Sequence, residues 1–330
     1  MNHYRLLSVS LCALFSGLAI ANPNHGLEQG FSGGISLNLG YSSGQSQLNT
    51  DDNNAITPDL NNNGTSVTDA KVFPLGRLQY SFGETAIFFG NSQDQIAEAQ
   101  FQSELGILHQ FTPETLVTFA MFSTIPGMTE VWKDPYLTQQ SRSKTDQDII
   151  GGRVAFELFA PIPVTLRYAY AQSDIEHDQI GQNSLLDGTQ RSLLKRDSQY
   201  HRATIETNLP LSRNIILAPA FQYTLKDADG KAHSYSDYAA QLGIVMNFSR
   251  HSLVTTMRAS VADYEQDNPM FNQKQDANAL GVFSIYSFDK PFALPDTKWN
   301  VMAGYQETDS NIEFYDESSL FLSTGLAYTF

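Results

Sequence analysis

The sequence predicts an all-β chain: a cleaved signal peptide, residues 1–21, and then one domain, residues 22–330, folded as a transmembrane antiparallel β-barrel of about fourteen strands. Three observations predict it. Apolar residues recur at every second position through most of the chain. Connections alternate between short turns and long polar loops. The final run, "SSLFLSTGLAYTF", keeps the alternation to its last residue, with Leu320, Leu322, Leu326, Tyr328 and Phe330 on one parity.

In the leader, Arg5 supplies positive charge, Leu6 to Ala21 is apolar and small, and Ala19-Ile20-Ala21 ahead of Asn22-Pro23 fits a cleavage site. The stretch carries serines and a glycine and is short for a span of roughly 20 predominantly apolar residues. The one cysteine, Cys12, lies inside it, so the mature chain offers no disulfide, thiol nucleophile or thiolate metal site. Losing Arg5 takes the formal charge from −15 to −16. That excludes nucleic acid as a partner, because binding phosphates needs an excess of Lys and Arg. No later segment approaches 18 consecutive apolar residues, so the mature protein is either soluble in an export compartment or a barrel.

The strands follow in order. Gly33, Ile35, Leu37, Leu39 and Tyr41 form the first apolar face, and Leu78, Tyr80 and Phe82 the second. A weaker strand falls near 85–92. Next come Phe101, Leu105, Ile107 and Phe111; Val117, Phe119 and Met121; Val154, Phe156 and Leu158; and Val164, Leu166, Tyr168 and Tyr170. After a weak strand at 199–209 the pattern resumes with Ile215, Leu217, Phe221, Tyr223 and Leu225, then Leu242, Ile244, Met246 and Phe248, then Leu253, Met257 and Val261. A weak strand at 277–288, the face of Trp299, Val301, Ala303 and Tyr305, and the terminal run complete an even number, as a bacterial single-chain barrel requires.

Short turns such as "FGET", "FTPET", "APIP", "LSRN" and "SRH" alternate with loops such as "SSGQSQLNTDDNNAITPDLNNNGTSVTD" and "SDIEHDQIGQNSLLDGTQRSLLKRD". A soluble sandwich has no reason to sort its loops by parity, whereas an outer-membrane barrel has short periplasmic turns and long extracellular loops. Most descending strands end in Phe just before the short turn. Aromatic rings suit the headgroup level, so Phe82, Phe111, Phe248, Phe288 and Phe330, with Trp299, are read as a periplasmic girdle. Phe159 is out of step with Phe156 and Leu158 and is placed in the turn.

At "GFSGGISLNLGY", "FPLGRLQYSFGE", "FFGNSQDQIAEAQFQSELG" and "VWKDPYL" the sequence resembles a family of Gram-negative outer-membrane proteins catalogued as a domain of unknown function. The resemblance spans essentially the whole mature chain. It implies an outer-membrane β-barrel and carries over no catalytic or ligand residue. The aromatic C-terminus also resembles the signal by which the barrel-assembly machinery recognises its clients, which makes that machinery an expected partner beside outer-membrane lipid and lipopolysaccharide.

If the apolar parity faces lipid, the other parity faces the lumen and carries Arg77, Glu104, Arg153, Glu157, Arg167, Arg202, Glu206 and Arg258. A Lys or Arg on the lipid face at the bilayer midplane costs about 2 to 4 kcal/mol, so a barrel needs this sorting. Two readings of these residues stand. They line a pore whose arginines favour anionic solutes, or Arg153 with Glu157 and Arg202 with Glu206 pair and fill the interior. The loop "STIPGMTEVWKDPYLTQQSRSK" breaks the polar rule with Ile125, Pro126, Met128, Val131, Trp132, Pro135, Tyr136 and Leu137. Exposed apolar clusters mark contact surfaces, so this loop is expected to fold into the mouth as a constriction, with Trp132, Asp134 and Tyr136 as its candidates. Trp132 and Tyr136 either pack against neighbouring loops or stack on a solute such as a sugar.

Asp59, Asn61 and Asn63 before Gly64 match the start of a calcium loop, but Ala70 stands where the last carboxylate ligand belongs, so an ordinary Asn-rich loop is expected. Asp174, His177 and Asp178 have no nucleophile at a recognisable spacing, and the sequence lacks GxSxG and HExxH. No catalytic residue, metal or cofactor is expected. Two functions remain open: a passive pore for small hydrophilic solutes in the outer membrane of a Gram-negative bacterium, or a plugged barrel acting as a structural or surface-binding protein without transport or catalysis.

Overall fold

The computed structural model describes residues 27, 29–92, 102–125 and 129–330. The leader with Cys12, and Phe101, Pro126 and Met128, lie outside these. Fourteen strands form the barrel wall: β1 (Gly30–Gln45), β2 (Ser66–Phe82), β3 (Thr85–Asn91), β4 (Gln102–Thr112), β5 (Thr115–Thr124), β6 (Lys144–Leu158), β7 (Val164–Ile175), β8 (Ser198–Thr207), β9 (Ile215–Ala228), β10 (Tyr235–Phe248), β11 (His251–Tyr264), β12 (Ala277–Asp289), β13 (Thr297–Ser310) and β14 (Glu317–Thr329).

Each strand pairs antiparallel with the next, and β14 returns to β1 over the register Gly34↔Thr329 to Gln45↔Ser318. The ring closes down to the last residue: the Gly33 N–H donates to the Phe330 carbonyl at 2.8 Å, and the Phe330 N–H donates to the Gly33 carbonyl at 3.0 Å. A closed sheet leaves no edge of unpaired N–H and C=O groups, which is why the alternation runs unbroken to Phe330.

The alternation sorts side chains as expected. Phe119 is 60% exposed and Met121 68% on the outside, while their neighbours Ala120 and Phe122 are buried inside. Val117 shares the outward parity but is covered beside its register partners His109 and Phe156. Phe82, Phe111, Phe248, Phe288, Trp299 and Phe330 all stand outward at the short-turn end. At the long-loop end the outward aromatics are tyrosines, Tyr41, Tyr170, Tyr223, Tyr238 and Tyr305, with Tyr223 and Tyr238 paired at 5.0 Å. From Tyr238 to Phe248 is ten residues of strand, about 25 Å of height at the usual rise and tilt.

Among the described residues, the pairing of β2 with β3 ends at Arg77↔Gly90. There the Gly76 N–H donates to Asn91 Oδ1 at 2.7 Å, and two residues further on stands Pro74, which has no N–H to satisfy. Beyond the end of β5, the short strand Glu130–Trp132 runs beside β6. Backbone bonds from Gln139 N–H to the Thr57 carbonyl (2.8 Å) and from Arg142 N–H to the Ala55 carbonyl (2.9 Å) tie the loop at 125–143 to the loop at 46–65.

Candidate functional site

The lumen divides into three sectors. On the β2–β6 side three ionisable groups are sealed: Glu104 is 1% exposed and bridges two arginines, Arg153 at 2.7 and 2.9 Å and Arg77 at 3.8 Å. Arg153 reaches β4 across β5 because Ala120 and Gly106 lie between them in register. Arg153 meets Glu104 across the sheet, and Glu157, its partner in one of the two sequence readings, lies within electrostatic reach of it. Inward residues four apart on one strand are separated by about 13 Å, whereas neighbouring strands lie about 5 Å apart. The Arg77 guanidinium also stacks on Phe88, 3.8 Å from the ring centre.

Further round, Glu157, Arg167, Arg202, Glu206 and Arg258 are only half-buried. Arg202 donates from Nε to Thr224 Oγ1 at 3.0 Å. Arg258 donates to Gln222 Oε1 at 2.6 Å and meets Asp237 Oδ2 at 3.4 Å. Glu157 faces Arg167 and Arg153 within electrostatic reach. Asp237 and Lys226 also point inward, on the parity of Thr224 and Gln222, and were legible by that parity alone.

The remaining sector is apolar, which parity-counting of charges missed. Phe73, Leu75, Phe283, Ile285, Met302 and Phe321 are all buried inside, with Phe283 and Phe321 stacked at 6.3 Å. Inward rings crowd two glycines of the wall. A Cβ on Gly106 would stand 2.3 Å from Phe88 Cζ, and one on Gly40 would stand 2.7 Å from Phe73 Cε1. At the short-turn end Phe159, in the β6–β7 turn, and Leu27 pack against Ala86, Phe88, Leu108, Leu116 and Ala120.

At the other end the long loops converge into a cap with its own apolar centre. Tyr136, Ile180, Leu194, Ala232, Ile312, Phe314 and Tyr315 form one buried cluster, with Leu48, Leu60, Met270 and Phe271 packed against it. The Tyr136 and Tyr315 hydroxyls bond each other, and Asn268 Nδ2 donates to both, at 2.8 and 2.9 Å. Burial pushes the Tyr136 phenol up to about 12 and holds Tyr315 well above its ordinary value. Asp134 accepts from the backbone N–H groups of Tyr136 and Gly181 and from Asn183 Nδ2. Trp132, fully buried, donates from its indole to the Gln47 carbonyl at 3.1 Å. The Arg142 guanidinium lies over the Trp132 ring and donates to carbonyls of Gln47, Pro135 and Asn54. Burial pulls its pKa down to about 10.

A family model described as "Protein of unknown function (DUF2860)" matches residues 30–329. The chain belongs to the DUF2860 family. No curated protein matches it. Among solved structures it is similar to the P. putida toluene transporter TodX (9% identity, 92% of this chain and 90% of that chain covered, TM-score 0.47). It is also similar to a Pseudomonas aeruginosa FadL homologue (9%, 91% and 90%, 0.45) and to a loop-deletion mutant of OmpT, an outer membrane protein of Vibrio cholerae (8%, 91% and 98%, 0.44).

In this DUF2860 barrel the other sequence candidates have ordinary surroundings. Asp59 accepts from the Asn61 N–H and from Asn62 Nδ2, and Asn63 Oδ1 accepts from Gln45. Asp178 pairs with Arg196 at 2.6 Å, and exposed His177 stands 3.6 Å from Glu176.

Proposed function

We propose that the protein is a channel of the Gram-negative outer membrane, through which small hydrophilic solutes diffuse passively along the charged side of the lumen. The short-turn end then faces the periplasm and the long-loop end the exterior, with lipid on the apolar belt and lipopolysaccharide around the tyrosine end. One observation carries the reading. Glu157, Arg167, Arg202, Glu206 and Arg258 are half-buried inside the wall, while Arg77, Glu104 and Arg153 are sealed. Ionisable groups inside a barrel keep partial exposure where water reaches them, and such groups tune the passage of ions and polar solutes.

The cap favours a second reading, the plugged barrel, because its apolar centre draws together the loops that carry Leu48, Tyr136, Ile180, Ala232, Met270 and Ile312. Planar-bilayer recordings separate the two. A channel gives discrete conductance steps that grow when Tyr136→Ala loosens the cap. Silence from both wild type and variant, with each barrel folded by heat-modifiable gel mobility, decides for the plug. Replacing Arg258 with Gln is expected to lower the preference for chloride over potassium, read as a shift in reversal potential.

A further inference from the structure

Backbone strain gathers at one place on the short-turn rim. Seven non-glycine residues among those described have positive φ, and five of them stand in two adjoining turns. Ser249 (55°) lies between β10 and β11; Lys290 (53°), Phe292 (54°), Ala293 (60°) and Asp296 (52°) lie between β12 and β13. Residues with side chains are disfavoured in this region, and those that adopt it cluster at ligand clamps and active sites.

The contacts that hold the two turns together centre on Arg250. Its Nε and Nη2 donate to the Asp289 carbonyl at 2.9 and 2.7 Å, and Nη2 also donates to the Lys290 carbonyl. Its guanidinium lies over the Phe288 ring, 4.7 Å from the centre. The His251 ring stands 5.0 Å from the same ring, and its Nδ1 meets the Tyr286 hydroxyl at 2.7 Å. Arg250 is exposed, and its Nη1 bonds to none of the described residues. Carbonyls and a ring fix a guanidinium without cancelling its charge. Asp289 is already paired with Lys298 at 3.4 Å, and Asp296 lies at the far end of its turn, where its carbonyl accepts from the Thr329 N–H at 2.8 Å. Lys290, whose carbonyl Arg250 holds, is exposed and in no ion pair among the described residues, so its ammonium is one side-chain length from that guanidinium.

The surroundings indicate the ligand. Phe248, Phe288 and Trp299 mark the headgroup level beside these turns. Phe292 is 90% exposed and Leu294 46%, so the strained turn offers apolar side chains next to its charges. The short turns after β2 and β4 carry Glu84 and Glu114 instead.

We propose that the β10–β11 and β12–β13 turns form a binding site for the phosphate of an anionic phospholipid, held by Arg250 Nη1 and Lys290, with Phe292 and Leu294 resting in the interface beside it. The N–H groups left on Nη1 are charge-assisted donors suited to phosphate oxygens, and basic clusters at the membrane surface recognise such headgroups. The inference rests on the membrane placement of the channel reading and goes beyond it, since it does not need the lumen to conduct.

The test places the folded protein in phosphatidylcholine vesicles containing an equal fraction of either brominated phosphatidylglycerol or brominated phosphatidylcholine. Trp299, 41% exposed and in register with Phe288, reports the lipid beside the site, while Trp132 is buried in the cap. Quenching should show phosphatidylglycerol preferred, and Arg250→Gln and Lys290→Gln should each lower that preference by about fivefold. The Lys290 side chain makes no bond within the turn, so its replacement leaves the turn's own contacts in place. Arg213→Gln, in the neighbouring β8–β9 turn, should leave the preference unchanged. Equal quenching by the two lipids overturns the site. So does a preference untouched by Lys290→Gln, one that Arg213→Gln lowers as far, which is diffuse attraction to the rim, or one that inorganic phosphate abolishes, which assigns the donors to a free anion. A silent barrel that keeps the preference sinks the channel alone; a conducting barrel that lacks it sinks this site alone.

Discussion

Arg142 is the residue on which the join between the 46–65 and 125–143 loops turns. Its guanidinium satisfies the carbonyls of Gln47, Asn54 and Pro135 and covers Trp132. Arg142→Ala leaves these acceptors buried and unpaired and is expected to destabilise the folded loops by about 3 kcal/mol. Limited proteolysis should detect this as cleavage within 125–143 in the variant only; equal resistance would refute the role. Arg142→Lys should rescue little, since one ammonium lacks the planar fork. Inside the wall, Gly106→Ala drives a methyl into Phe88 and should cost about 1 to 3 kcal/mol. A urea-unfolding midpoint equal to wild type would mean that the ring moves aside freely. Trp132 and Tyr136 were legible as apolar residues out of place in a loop. Their partners Arg142 and Gln47 were not, because a polar residue in a polar loop carries no signal of burial.

Among the elements, the strands were the most legible, because a buried inside and an oily outside both impose period two. The weak strand at 85–92 is β3, Thr85–Asn91, and Asn91 turns its side chain to cap β2 while its backbone still pairs with Ser103 of β4. The cap is the element that alternation cannot reveal, since its residues come from loops far apart in sequence. It has a stability window with two edges. His233 is held well below 6.5, first by burial and then by Lys226 and Arg196. Its contribution is complete above 6.5 and is lost as the pH falls. Tyr136 is raised from 10.0 to about 12, so its contribution is complete below 10.0 and is lost as the pH rises through 12. Resistance to protease added at the loop end should therefore hold between these limits and decline outside them. A flat profile from acid to alkali would contradict it. In alkaline titration, Tyr136 and Tyr315 should ionise late, together with loss of that resistance.

At the scale of the molecule, neither the division of the interior nor its degree of filling is written along the chain. The inward charges were visible one by one, yet Phe73, Phe88, Phe122, Phe283 and Phe321 share their parity and went unnoticed beside the longer apolar face outside. Which sector each residue joins depends on barrel closure, which brings β12–β14 beside β1 and β2 and so collects the rings on one side. Local pairing hid the rest: Arg153 finds Glu104 across a strand, a partner that no spacing along the chain announces. The meeting of the two chain ends has a practical corollary. Because Phe330 exchanges both its backbone bonds with Gly33, a purification handle fused after it would compete with the seam that holds the cylinder shut. An epitope is better grafted at Leu185, which stands wholly in solvent at the opposite rim, where antibody staining of intact cells would also report which way the molecule is inserted.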